Sequence, residues 1–205
     1  MSDTITEKNQ DIPLRRDKNL YIIFGITLMA VMGVASITPA FPGIIKAFDI
    51  SKTQVAYLIT VFTLPGIFMA PVMGILADRF GRKIIIIPSL FVFALAGFAC
   101  TFATSFVTLL ILRFFQGVGM SSLGMLNTTM IGDLYSGNKR SSAMGYVSGV
   151  LSIGTATYPA IGGFLADIAW NIPFLLPLLA IPVGFAVILV SKIPNPIKTQ
   201  RSMIT

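Results

Sequence analysis

The stretch Gly74-Ile-Leu-Ala-Asp-Arg-Phe-Gly-Arg-Lys83 places one acid and three cations between two long apolar runs. The runs cover residues 53–77 and 84–104. A helix of about 20 residues, rising about 1.5 Å per residue, spans the hydrocarbon core of a bilayer. The stretch is therefore predicted to be a short connection at a membrane surface, between two membrane-spanning helices.

Composition supports a membrane protein along the whole chain. Hydrophobic residues make up 55% of the sequence and charged residues 11%, whereas soluble domains carry about 25% charged residues. Four further apolar runs complete an all-α membrane fold of six transmembrane helices, here called spans 1 to 6. Their predicted bounds are 20–41, 53–77, 84–104, 106–130, 143–166 and 172–191. Residues 1–19 and 192–205 are predicted to be tails.

The cations predict the orientation, because Lys and Arg are retained on the cytoplasmic side of short loops. With the N-terminus inside, 12 of the 15 Lys and Arg residues fall in inner segments, and only Lys46 and Lys52 fall in outer loops. Both termini are therefore predicted to be cytoplasmic, in a multi-pass protein of the cell membrane. The net charge of +7 then reflects contact with anionic headgroups. A nucleic-acid partner is disfavoured, since the cations are divided among short segments.

Several function classes lack the residues that they need. Histidine is absent, and Cys100 is the only cysteine, so no intrachain disulfide is possible. No group of Cys, Asp or Glu has metal-ligand spacing, and no phosphate-binding Gly-x-x-x-x-Gly-Lys occurs. We predict no metal, no cofactor and no enzymatic activity, because no nucleophile–base pair is evident.

An internal repeat predicts the topology of the bundle. The string PVMGILAD at 71–78 closes span 2, and PAIGGFLAD at 159–167 closes span 5. The copies are three spans apart, so they end on opposite sides of the membrane, as in a 3+3 inverted repeat. The alternative is a chance match in sequence rich in Gly, Ala and Leu.

Span 4 carries the one charged residue within the apolar depth. Arg113 lies about seven residues from the outer end near Ser105, roughly 10 Å deep at the helical rise. A central Arg costs ~2.5–3.5 kcal/mol on insertion scales. A stripe of small and polar residues on the same face would turn it toward protein or a water-filled cavity. Alternatively, the side chain snorkels to the outer interface.

Two of these motifs resemble those of the major facilitator superfamily, a large class of secondary transporters. The order Gly-x-Leu-Ala-Asp-Arg-x-Gly-Arg-Lys resembles its signature loop between helices 2 and 3. The stretch Arg113-x-x-Gln116-Gly117-x-Gly119 is similar to its helix-4 motif, in which the arginine is linked to proton coupling. The resemblance implies a proton-coupling and cavity face that holds Arg113, Gln116, Ser121 and Asn127.

The resemblance also implies a cytoplasmic cluster of charges that latches one conformation. The residues assigned to this latch are Gly74, Asp78, Arg79, Gly81, Arg82, Lys83, Asp133 and Arg140. The alternative is a set of solvated loop charges with negligible coupling, because exposed ion pairs contribute about 0–1 kcal/mol.

Span 5 resembles the antiporter motif of drug/proton exchangers in the same superfamily, except that a glycine is expected where Tyr158 stands. The motif residues are Gly145, Gly149, Gly154, Tyr158, Pro159, Gly162 and Gly163. In helical projection they form two roughly opposite close-packing faces, and Pro159 is expected to bend the helix. Ordinary packing of small residues in a membrane is the alternative. In span 1, Pro39 and Pro42 are expected to break the helix near the outer surface.

Together these resemblances correspond to the N-terminal six helices of twelve-helix drug/proton antiporters. The implied function is secondary active, proton-coupled efflux of small molecules by alternating access. The implied partners are the bilayer, a small-molecule substrate, protons and a second six-helix half, as a separate chain or a missing segment. A truncated non-transporting remnant, a membrane scaffold subunit and a homodimeric half-transporter remain alternatives. No carboxylate lies within the apolar depth, which disfavours a cationic substrate bound by this half alone.

Overall fold

The computed structural model describes residues 14–190, apart from the side chains of residues 15 and 190. Most of the two predicted tails therefore lies outside the described residues. Within the described range, six helical segments are long and apolar enough to cross a membrane, and no strand occurs. Their bounds are Lys18–Phe48, Lys52–Phe80, Arg82–Cys100, Phe106–Leu134, Gly137–Ile168 and Ile172–Leu189. The predicted six-helix membrane fold is confirmed.

Several spans continue past the apolar runs that predicted them. Span 2 reaches Phe80, span 4 reaches Leu134 and span 5 begins at Gly137, because helical hydrogen bonding continues into the polar residues at the membrane surface. The connection between spans 2 and 3 is thereby reduced to Gly81, whose φ is 101°. A side chain at that φ would be strained, so the turn requires glycine.

Span 1 is interrupted in its C-terminal half. The helix Lys18–Ala35 is followed by a 3-10 turn at Thr38–Ala40 and a second helix, Phe41–Phe48. Pro39 lies in the turn and has no N–H to donate. The Ile37 N–H donates to the Val34 carbonyl at 3.3 Å, not to the Gly33 carbonyl one residue earlier.

The sixth span is also composite. It begins with a 3-10 segment, Ile172–Leu179, which contains Pro177, and continues as the helix Ala180–Val190. Repeated prolines remove the donors that an α-helix would need over the first part of this span.

The neighbours of each span follow the predicted repeat. Span 2 packs on span 4, span 5 packs on span 1, and span 3 packs on span 6. Exchanging spans 1–3 with spans 4–6 converts the first relation into the second and leaves the third unchanged, as a 3+3 inverted repeat requires. Large apolar side chains such as Phe68 and Phe164, each about 70% exposed, are left to face lipid or another partner.

Candidate functional site

Arg113 is fully buried in the half of the bundle that holds the break in span 1, where three spans meet. Its Nη2 donates to the Gly33 carbonyl of span 1 at 2.9 Å, and its Nη1 donates to Gln116 Oε1 at 2.7 Å. Its Nε donates a longer bond, 3.4 Å, to the Leu58 carbonyl of span 2. The guanidinium carbon also lies 4.4 Å from the centre of the Phe62 ring. These contacts hold the charge inside the bundle, and the Arg113 side chain does not extend to the surface.

The break in span 1 explains why a main-chain acceptor is free for Arg113. Because the Ile37 N–H bonds to Val34, the carbonyl of Gly33 lacks its usual helical donor. This carbonyl lies in the last turn of the helix that ends at Ala35, where the helix dipole is negative and favours a cation. The helix interruption caused by Pro39 therefore prepares the acceptor that Arg113 uses.

Two glycines bring the surrounding spans close enough for these bonds. A Cβ on Gly117 would overlap the backbone carbonyl of Phe62, and a Cβ on Gly33 would overlap the Phe62 ring. Spans 2 and 4 thus touch backbone to backbone at Gly117, and the Phe62 ring fits against span 1 at Gly33. Small residues at such points allow close approach of membrane helices.

A cavity of about 360 Å³ lies between spans 1, 2 and 4, beside this cluster. Its wall is apolar or weakly polar and includes Val34, Phe62, Thr63, Ser121, Gly124 and Met125. Of the four residues predicted for the coupling and cavity face, Ser121 lines the cavity. Arg113 meets it through the Phe62 ring, and Gln116 is fully buried beside Arg113. Asn127 is buried and donates from Nδ2 to Thr27 Oγ1 of span 1 at 2.7 Å.

A second charged cluster lies at the opposite end of the bundle, where spans 2, 3 and 4 meet. Arg82 is only 4% exposed, and its guanidinium contacts the carboxylate of Asp133 directly. Asp78 is the more distant partner, at 3.9 Å from Arg82. The structure thus brings together three of the eight residues assigned to the latch by sequence, from the spans on both sides of Gly81 and from span 4.

The other assigned latch residues have separate surroundings. Arg79 lies over the ring of its neighbour Phe80, at 5.5 Å, and Lys83 Nζ donates to the Ile188 carbonyl at 2.7 Å. Arg140 adjoins Gly132 and forms no ion pair with any residue from 14 to 190. Gly74 faces Met125, and Gly81 forms the turn. The functional roles of all eight residues stay predictions.

The two glycine faces predicted for span 5 have different surroundings. Gly162 packs against the backbone of Ser36, Gly154 packs against Leu28, and Tyr158 is buried beside them. A Cβ added to Gly145 or Gly149 would have no heavy atom of a packing neighbour within 4 Å among the described residues. Pro159 is exposed within a continuous helix, and Gly163 lies near Pro39. One face therefore packs on span 1, and the other is open.

Sequence reasoning missed a buried polar contact at the N-terminal end of span 1. Asp17 caps this helix by accepting the Asn19 N–H at 2.9 Å, and it also accepts the Tyr135 hydroxyl at 2.7 Å. Burial, together with the hydrogen bond to Asp17, raises the pKa of Tyr135 well above its ordinary value. The phenol is thereby kept as a donor. An Asp directly before an apolar helix is a recognisable cap signal, but the Tyr135 contact is not readable from sequence.

Comparison with known proteins identifies the family. The profile described as Major Facilitator Superfamily matches residues 23–204. The Bacillibactin exporter of Bacillus subtilis (strain 168) is 30% identical over 164 residues, which cover 77% of this chain and 41% of the exporter. Multidrug resistance protein 1 of the same strain is 30% identical over 160 residues, 78% of this chain and 41% of that protein. The chain spans about two-fifths of the length of these curated relatives.

Solved structures agree at the level of fold. The crystal structure of a D-xylose-proton symporter matches with a TM-score of 0.75 over 86% of this chain and 48% of the symporter, at 15% identity. The human organic anion transporter MFSD10 (TETRAN) matches with a TM-score of 0.72 over 86% of this chain and 47% of that transporter, at 19% identity. The six spans, the charged turn at Gly81 and a family profile that covers nearly the whole bundle lead to one conclusion: the chain belongs to the major facilitator superfamily of membrane transporters.

Proposed function

We propose that the chain forms the N-terminal half of a secondary active exporter of small molecules, driven by protons and working by alternating access. The observation that carries this proposal is the buried Arg113 cluster beside a cavity. A fixed positive charge next to a space large enough for part of a ligand is expensive to maintain in a membrane. Charged residues that are kept within membrane spans despite this cost typically mark substrate or ion pathways. In addition, relatives of the chain are named as exporters.

In this proposal Arg113 acts through its field and does not carry the proton. A guanidinium stays protonated in proteins. Within residues 14–190 the carboxylates are Asp17, Asp49, Asp78, Asp133 and Asp167, and each lies at or near the end of a span. The proton carrier is therefore an acid outside the described range or a group on the substrate, whose protonation Arg113 would bias electrostatically.

The Arg82 cluster supplies the second element of alternating access, a contact that can open. Asp133 is about one-third exposed and Asp78 about two-thirds, so water can replace Arg82 as their partner when the spans separate. Rocking of two bundles about a central site is the usual motion of such transporters. The open faces of spans 2 and 5 fit a second six-helix half as the partner in this motion.

The first test concerns coupling in the complete transporter, the chain joined with its second half. Arg113→Lys should preserve membrane insertion but abolish proton-driven export. The planar guanidinium donates at once to Gly33 of span 1, Leu58 of span 2 and Gln116, and a lysine ammonium lacks this planar set of donors. The measurement is substrate-dependent proton flux in proteoliposomes. Arg16→Lys is the matched control, since Arg16 is exposed. Unchanged flux in Arg113→Lys would remove Arg113 from the mechanism.

The second test uses the 205-residue chain by itself. Purified chain in proteoliposomes with an imposed pH gradient should show no drug-dependent proton movement, because the partner bundle is lacking. Robust exchange by a uniform dimer would instead make the chain a homodimeric carrier. A stable complex with an unrelated membrane protein, and no transport with any second half, would favour a scaffold subunit.

The third test concerns orientation. The proposed topology places Lys52 and Ala169 outside and Asn138 inside, and all three lie at the ends of spans. Single cysteines at Lys52 and Ala169 should react with an impermeant thiol reagent added to sealed cells, while Asn138→Cys should react only after lysis. Cys100 is buried and should give little background. Labelling of position 138 in sealed cells would overturn the topology.

A further inference from the structure

A second cavity lies on a different side of span 1 from the one beside Arg113. It has a volume of about 360 Å³ and is lined by Lys18, Tyr21, Ile22 and Gly25 of span 1 and by Val183 and Ala186 of span 6. At 100° per residue, Gly25 points roughly 140° away from Ala30, which lines the first cavity. The groove between spans 1 and 6 is therefore separate from the proposed transport pathway.

This groove runs from the membrane surface into the apolar region. Lys18 is the first residue of the helix, and Gly25 lies seven residues further on, about 10 Å along the axis at the helical rise. Tyr21 is 58% exposed at the entrance, at the depth where aromatic side chains border headgroups. The floor is close-packed, since a Cβ on Gly25 would lie 3.2 Å from Val183. The groove thus has a charged mouth and an apolar floor.

The charge at the mouth is positive and is not neutralised by a neighbouring acid. Lys18 is exposed and forms no ion pair with any residue between 14 and 190. The adjacent Asp17 is buried, where it bonds to the Asn19 N–H and the Tyr135 hydroxyl. Further along span 6, past the groove residues Val183 and Ala186, Lys83 donates to the Ile188 carbonyl. A second cation therefore lies near the end of span 6.

From this arrangement we propose that the groove between spans 1 and 6 binds one anionic phospholipid of the adjacent leaflet. Its phosphate contacts Lys18, and the first part of one acyl chain lies over Gly25 and Ala186. Basic pockets between membrane helices bind anionic headgroups in this way. The proposal is independent of transport, so it stands even if the exporter assignment fails.

The test is native mass spectrometry of the 205-residue chain released from nanodiscs of mixed phosphatidylcholine and phosphatidylglycerol. Wild type should retain one phosphatidylglycerol per chain in preference to phosphatidylcholine. Lys18→Gln should lower that retention about fivefold, the factor that one lysine near an anionic surface contributes. Ala186→Leu should lower it too, by filling the groove while keeping the charge.

Two matched controls separate this site from general attraction to anionic lipid. Lys46→Gln removes an exposed lysine at the other end of span 1, and Ala160→Leu enlarges an exposed alanine of span 5; both should leave retention unchanged. No preference for phosphatidylglycerol in wild type, or equal losses in Lys18→Gln and Lys46→Gln, would overturn the proposal. So would a loss in Lys18→Gln with none in Ala186→Leu, since headgroup attraction would then need no groove.

Discussion

The two buried arginines are held in opposite ways. Arg113 has no exposed surface, and its acceptors are two main-chain carbonyls and one amide oxygen. Arg82 is almost as buried, but its partners are the carboxylates of Asp133 and Asp78, which reach the surface. Main-chain dipoles cannot be titrated or released without unfolding, whereas surface carboxylates can exchange a cation for water. The difference suits a fixed charge at one end of the bundle and a breakable contact at the other.

The largest expected effect comes from disrupting the packing around Arg113. Gly117→Ala places a methyl group against the Phe62 carbonyl, and because this neighbour is backbone, spans 2 and 4 must separate. We expect a loss of about 3 kcal/mol in stability, at the upper end of overpacking effects. Thermal unfolding in detergent, followed by size-exclusion chromatography, measures it.

Gly124→Ala is the matched control for this change. It lies in the same helix, seven residues on, and has nothing within 4 Å of the added Cβ. Its unfolding temperature should be unchanged or slightly raised, since Ala favours helix over Gly. Equal losses in the two variants would show that close approach at Gly117 does not hold the Arg113 site together.

The next effect concerns the breakable contact. Asp133→Asn leaves the buried Arg82 with only its distant partner Asp78. Removing one member of a buried pair costs about 3–5 kcal/mol, and the exposure of Asp133 reduces our expectation to about 2 kcal/mol. Asp78→Asn should cost under about 0.5 kcal/mol, as for exposed pairs. Unfolding of both variants at low and high salt checks this order, and a larger loss in Asp78→Asn would contradict it.

The smallest expected effect comes from replacing Gln116, the uncharged side-chain partner of Arg113. Gln116→Met removes the Oε1 acceptor of Arg113, but it also removes a buried Nε2 that has no hydrogen-bond partner in the described structure. The two changes partly offset, so we expect a loss of about 1 kcal/mol, insensitive to salt. Ser122→Ala, a buried change with a weak bond, is the control. A salt-dependent loss in Gln116→Met would mean that Arg113 has a charged partner.

Much of the fold was predictable, because length and hydropathy determine which segments can cross a bilayer. The repeat of 71–78 at 159–167 predicted a 3+3 inverted repeat, and the packing of span 2 on span 4 and of span 5 on span 1 is consistent with it. The helix ends were less predictable, since backbone hydrogen bonding at Phe80 and Leu134 continues where the apolar pattern has stopped.

The side chains of the site could be predicted from the sequence, but its main-chain acceptors could not. The sequence indicated Arg113 and Gln116 as a unit, and the structure joins them. It could not indicate that Gly33 would accept from Arg113, because a main-chain carbonyl leaves no mark of its own in a sequence. Pro39 carries that information only indirectly, because the helix is interrupted beside it and the Ile37 N–H bonds to Val34 instead of Gly33. For the same reason, the glycines of span 5 could be placed on two faces but not assigned to a neighbour.

The hydrogen bond from Lys83 to the Ile188 carbonyl links spans 3 and 6 mechanically at the end of the bundle that holds the Arg82 cluster. Lys83 follows Arg82 directly, so a main-chain shift that draws Arg82 away from Asp133 also displaces the donor that holds the last turn of span 6. That turn ends at Val190. We expect a main-chain movement of this turn to be transmitted to the Arg82–Asp133 ion pair, and a main-chain movement that opens the ion pair to be transmitted back to this turn.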